Sequence, residues 1–227
     1  MQRSSLVALI VASAFFMQGM DSSIVASALP QIASSFGEDP VRLSGAITSY
    51  IISLAIFIPI SGWLADRFGA RTIFQAAIIA FLIGSSICAA SSNVIQLDIA
   101  RMLQGVGGAM LVPVGRLVML RTVGKAGLVA AMAILSVPAQ MGPLLGPPLG
   151  GVIVTYLSWR WIFLVNLPIG LVGLILASLH IENFREEARR PLDWKGFFLF
   201  GGAMACTIYG LDAIGRSRGD PTMAALI

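Results

Sequence analysis

Ten residues, Gly62-Trp63-Leu64-Ala65-Asp66-Arg67-Phe68-Gly69-Ala70-Arg71, form a charged stretch clamped between two long apolar runs. With hydrocarbon on both sides, a connection this short joins antiparallel spanning helices, because a bilayer offers backbone polar groups no partner outside their own helix. Gly62 and Gly69 are expected to supply bends and close backbone approach, Asp66 an anion, and Arg67 and Arg71 the mark of the cytoplasmic side. Composition agrees. The 227 residues are 57% hydrophobic and 11% charged, where soluble domains carry about a quarter charged residues. Mean hydropathy is +0.87. An integral membrane protein with the lipid bilayer as its first partner follows. The net charge of +4 has no basic cluster interleaved with aromatics, so no nucleic acid partner is expected. Cys88 and Cys206 both sit in apolar runs, which points to neither a disulfide nor a metal site.

The apolar runs predict seven spans, at 6–29, 43–64, 72–90, 95–119, 128–157, 161–180 and 196–214. The first is too long and lacks the small-residue cleavage site of a signal peptide. Residues 30–42 read as a polar connection and 182–195 as a cytoplasmic linker. Residues 215–220 read as a polar turn into 221–227, the start of an eighth span. The chain stops there, which suggests a truncated or fragmentary protein. Three parts are therefore expected: a six-span bundle at 1–180, a linker at 181–195, and a seventh span with its successor's stub at 196–227.

With the amino terminus inside, the inner face receives Arg3, Arg67, Arg71, Arg116, Arg121, Lys125, Arg185, Arg189, Arg190 and Lys195. The outer face receives Arg42, Arg160, Arg216 and Arg218, and Arg101 falls within span 4. Ten against four sets a cytoplasmic amino terminus. Trp159 and Trp161 are expected at the outer interface, Trp63 and Trp194 at the inner one.

Ionisable groups inside spans carry the chemistry. Asp21 lies fifteen residues after Leu6, roughly 22 Å along a helix. A carboxylate at that depth costs about 2.5 to 3.5 kcal/mol, so it should face the bundle interior, a partner or water. Burial and a nearby cation act in opposite senses on a carboxyl group, an opposition that suits it to carrying protons. Arg101 is one candidate partner, but Asp98, a turn earlier on the same helix, competes for the guanidinium. Gln18 shares a face with Asp21, and Gln104 shares one with Arg101. Gly105, Gly108 and Ala109 make a small-residue surface on the same span. In span 5, Gly142, Gly146 and Gly150 recur every fourth residue beside Pro143, Pro147 and Gly151. This bares one helix face for close packing and marks a helix that bends or lines a cavity. Gln18, Tyr50, Gln104 and Gln140 are polar candidates for cavity contacts.

The pattern G-x-L-A-D-R-x-G-x-R at 62–71 resembles the loop between spans 2 and 3 of major facilitator superfamily transporters. Five further blocks resemble the fourteen-span drug:proton antiporter branch of that superfamily. They are Asp21 to Pro30, Arg101 to Ala109, Gly142 to Gly151, and Trp159 to Gly170 with Leu192 to Gly196. The resemblance implies two inverted three-helix repeats in the six-span bundle and proton-driven export of amphipathic, often cationic compounds. It implies Asp21 as protonation site, Arg101 as its modulator, and the Gly62, Asp66, Arg67, Gly69, Arg71 loop as a cytoplasmic gate latch. Ser23 and Ser27 stand where the branch often has Thr and Asn, and Asp98 is an unexpected acid. The branch has about fourteen spans, so the span 5 glycine seam and the Asp66 latch are expected to face helices of a missing carboxy-terminal half.

The expected function is antiport of drugs or other small molecules across a bacterial inner membrane, with no cofactor and the proton gradient as energy source. Two rivals stay open: the same fold exporting a specific metabolite, and a half-transporter inactive without a second copy or a separate carboxy-terminal half. No enzyme is expected, since the single His180 lies at a span end and neither a nucleophile with its base nor a metal-ligand cluster appears.

Overall fold

The computed structural model describes residues 3–183 and 191–217. The expected eighth span, and the linker arginines 185, 189 and 190, lie outside them. The described residues form helices α1 (Arg3–Phe36), α2 (Pro40–Phe68), α3 (Ala70–Ala90), α4 (Val94–Tyr156), α5 (Trp161–Leu164), α6 (Asn166–His180) and α7 (Trp194–Ser217). Among the described residues seven segments are long and apolar enough to cross a membrane, α4 supplying two of them, Val94–Val123 and Val129–Tyr156. We call these span 4 and span 5. Helices α5 and α6 together make span 6, Trp161–His180.

The turns follow from local chemistry. α1 stops at Gly37, whose φ of +67° few other residues adopt. The Asp39 carboxylate then caps α2 by accepting from the Val41 amide at 2.7 Å, with Pro40 at the first helical position. At α4, Asn93 accepts from the Gln96 amide and the Gln96 side chain accepts from the Ser92 amide, both at 2.9 Å, a reciprocal cap.

The 63 residues of α4 are helical despite five internal prolines, yet the chain reverses direction within them. Gln104 meets Asp21, and a Cβ on Gly115 would meet Val11 and Phe15, so span 4 runs antiparallel to α1. A Cβ on Gly142 would meet Phe16 and Met20, and the Val154 carbonyl accepts from Gln31, so span 5 runs parallel to α1.

Several expectations change in detail. Residues 30–36 are helical rather than connecting, because Ile32 and Ala33 are buried and Phe36 packs edge-on against Trp159 at 5.6 Å. Trp159 is itself only 2% exposed, so it is a core residue and not an interfacial anchor. The 62–71 stretch is mostly helix. Gly62 makes no bend and no close approach, with open space where its Cβ would be, and Gly69 alone turns the chain at φ +98°.

Apolar packing divides into two clusters. One gathers residues 7–17 of α1 with Phe74, Phe81, Leu111 and Val118. The other gathers 24–33 of α1 with Leu43, Leu97, Ile162 and Phe163. Asp21 falls between them. α7 lies against α2, where Phe197 meets Phe57 at 6.2 Å and Thr48 donates to Asp212 at 2.9 Å.

Candidate functional site

Five spans converge on Asp21, which is fully buried. Its Oδ2 accepts from Arg101 Nη1 at 2.6 Å, and its Oδ1 accepts from Gln104 Nε2 at 2.8 Å and Asn166 Nδ2 at 2.9 Å. Arg101 is 1% exposed. Its Nη1 also donates to Gln104 Oε1 at 2.8 Å, its Nε donates to the Ala46 carbonyl at 3.3 Å, and its guanidinium lies 4.1 Å from the Tyr50 ring centre. Two buried charges are tolerable only when paired and hydrogen-bonded, and here each has both kinds of partner. The choice left open by the sequence is thus resolved. Arg101 pairs across helices with Asp21, and Asp98 is not among its partners.

Sequence reasoning missed the far side of this network. Asn166 also donates to Ser85 Oγ at 3.1 Å, and Ser85 donates to the Phe163 carbonyl at 2.9 Å. Cys88 Sγ approaches Gln104 Oε1 at 3.6 Å. An uncharged amide inside an apolar run is the available signal, because a polar group in hydrocarbon needs an interhelical partner.

The four polar candidates part company. Gln104 is fully buried in the network, bonded to both Asp21 and Arg101. Tyr50 is 2% exposed, and its hydroxyl, like Gln18 Oε1, is buried without a hydrogen-bond partner among the described residues. Gln140 is exposed and lies apart, on a cavity shared with Arg116.

The glycine seam of span 5 lies against α1 in this same half and does not face outward. Gly142, Gly146 and Gly150 are buried at intervals of four while their neighbours are exposed. A Cβ on Gly142 would sit 2.6 Å from the Phe16 carbonyl oxygen. Pro143 packs on Gly19, the Pro147 carbonyl accepts from Ser27 at 3.4 Å, and Gly151 faces open space. The partner face fits because α1 offers Gly19, Ser23 and Ser27 there. The gate loop likewise finds partners inside the chain. Asp66 Oδ1 accepts from Arg121 Nη2 of span 4 at 3.2 Å, and Arg71 donates to the Ser178 carbonyl of α6. Arg67 stacks over Trp63 at 5.2 Å.

The sequence model described as Major Facilitator Superfamily matches residues 11–224. Proteins called putative multidrug resistance protein MdtD, from Salmonella paratyphi B and Salmonella typhimurium, are 50% identical over 203 residues. That match covers 89% of this chain and 43% of theirs, so the chain spans less than half the length of the curated relatives it matches. Among solved structures, the xylose transporter XylE from E. coli in a partially occluded inward-open conformation matches with a TM-score of 0.69 at 16% identity. It covers 96% of this chain and 58% of that one. The human organic anion transporter MFSD10 matches with a TM-score of 0.68 at 16% identity, over 89% and 54% of the two chains. A multi-span helical bundle with a buried Asp21–Arg101 pair at its centre, matched along almost its whole length by this sequence model, is a member of the Major Facilitator Superfamily.

Proposed function

We propose that this chain is the amino-terminal half of a proton-coupled exporter of amphipathic small molecules in a bacterial inner membrane, its amino terminus cytoplasmic. The Asp21–Arg101 pair carries the reading. An ion pair sealed between helices is a two-state element. Protonating Asp21 removes the charge that holds Arg101, which favours parting of spans 1 and 4. Closing them expels the proton. Protons and cargo then compete for opposite states of one bundle. The multidrug resistance names of the relatives support the cargo class.

Gln18 Oε1, the Tyr50 hydroxyl and Asn166 Oδ1, buried without a hydrogen-bond partner among the described residues, are polar atoms available to cargo near this pair. The Asp66–Arg121 contact serves as the cytoplasmic latch, and the span 5 seam holds α1 in register. Residues 1–180 act as the transporting bundle, 181–195 as linker and 196–227 as the added span. Cargo crosses between two halves, so the working unit includes a carboxy-terminal half or a second copy. The proton gradient replaces any cofactor, and no bond of the cargo is made or broken.

The test is efflux of a fluorescent lipophilic cation from inverted vesicles under a proton gradient, comparing the chain, Asp21→Asn and empty vesicles. Gradient-dependent transport that vanishes in Asp21→Asn is the expected result for a working assembly. Transport by the chain that persists in Asp21→Asn refutes the coupling role. A chain no better than empty vesicles favours the second reading, an inert half, which the 43% coverage of the relatives supports.

A further inference from the structure

Asp21 and Arg101 neutralise one another, but a second guanidinium, toward the inner end of span 4, has no such partner. Arg116 lies seven residues before Val123, the end of span 4, so about 10 Å inside it and about 18 Å along the helix from Gln104. It makes no hydrogen bond or ion pair with any described residue, and its side chain is exposed. It borders an open cavity of about 320 Å³ between α1, span 4 and span 5.

The walls of that cavity are not uniform. Phe15, Leu135 and Ala139 supply an aromatic and aliphatic side. Ser136 and Gln140 supply polar groups, of which the Ser136 hydroxyl is already donated to the Met132 carbonyl at 2.8 Å. The Gln140 amide is unengaged among the described residues. One planar cation, one spare amide and one apolar wall converge on a volume in the range of small-ligand pockets. A guanidinium matches a carboxylate with two parallel hydrogen bonds, and an apolar body attached to that carboxylate has Phe15 and Leu135 to lie against.

We propose that the Arg116 cavity is a binding subsite for the carboxylate of an amphipathic anion drawn from the aqueous solute pool. The cargo range therefore includes organic acids, beyond the cationic compounds implied by the resemblance. Its role in transport rests on the exporter reading, but occupancy of the cavity does not, and binding is measured without transport.

The full 227-residue chain in phosphatidylcholine nanodiscs is titrated with tritiated 2-naphthoate and with its uncharged isostere, 2-naphthamide. The expected result is naphthoate binding about tenfold tighter than naphthamide, the scale of one charge-assisted pair. Arg116→Gln abolishes that preference while naphthamide binding is retained. Arg116→Lys keeps a reduced preference, because the charge survives without the bidentate geometry. Equal affinity for the two probes in the unmodified chain overturns the proposal, as does a preference that survives Arg116→Gln. If Arg116→Gln loses both probes, Arg116→Lys decides: a retained preference supports the subsite and a lost one refutes it. Phosphatidylglycerol added to the nanodiscs distinguishes the source of the anion. Unchanged naphthoate binding supports a solute site, and competitive loss assigns the cavity to a lipid headgroup and overturns the proposal. Discrimination by the chain, together with failure of the vesicle efflux test, leaves the subsite standing and favours the inert-half reading of the chain.

Discussion

Asp21 takes its hydrogen bonds from α4 and α6, so one carboxylate ties the first, fourth and sixth spans together. Removing one member of such a buried pair strands the other's charge. Arg101→Gln should therefore cost about 3 to 5 kcal/mol, read as lost thermal stability in detergent. Adding Asp21→Asn to that variant should recover most of the loss. Asn166→Ala removes one of three donors and should cost about 1 to 3 kcal/mol in the same measurement. The charged members of this site were legible in the sequence because each is expensive in an apolar run. The choice between Asp98 and Asp21 was not, since spacing along one helix says nothing about which helix lies opposite. Gln104 illustrates the same limit. Its helix face was readable, but its depth, and so its place in the network, depended on the packing of α3 and α1 around it.

Helix approach distances decide the next scale. Gly142 is pressed against the α1 backbone, so Gly142→Ala must push two helices apart and should cost about 1 to 3 kcal/mol. Gly151→Ala, with nothing near its Cβ position, should change stability by less than about 0.5 kcal/mol or raise it slightly. Both are checked by thermal unfolding, and equal losses would refute the close-packed seam. The gate stretch gives a parallel contrast. A Cβ on Gly69 would fall on the Asn183 side chain in a backbone conformation that disfavours any other residue, whereas Gly62 is an ordinary helical position. Gly69→Ala should therefore lower folded yield in membranes while Gly62→Ala leaves it unchanged. The period of four in span 5 was plain from the sequence, and so was close packing along it. The identity of the packing partner was not, because small residues on α1 and an absent half satisfy the same pattern equally well. Helix ends were misjudged at residues 30–36 for a related reason. Pro30 reads as a stop locally, but burial of Ile32 and Ala33 against the outer cluster keeps the helix going.

At the scale of the whole molecule, the number and order of the spans among the described residues were readable from hydropathy, since a bilayer admits few alternatives. The pairing of charged residues at the bundle's ends was not. Sidedness is a prediction at this scale: a cysteine at position 160 should react with a membrane-impermeant maleimide in intact cells, and one at position 67 only after lysis. The reverse pattern would invert the topology. α7 touches the bundle mainly along α2 and is otherwise exposed, which suits an added span at the periphery. The enclosure of Asp21 has, finally, an electrical meaning. A titratable group connected to both surfaces by water files would act as a wire and discharge the membrane voltage even when nothing is being carried. A carboxylate fully buried and held by three protein donors between two apolar clusters is placed against such a leak in the arrangement seen.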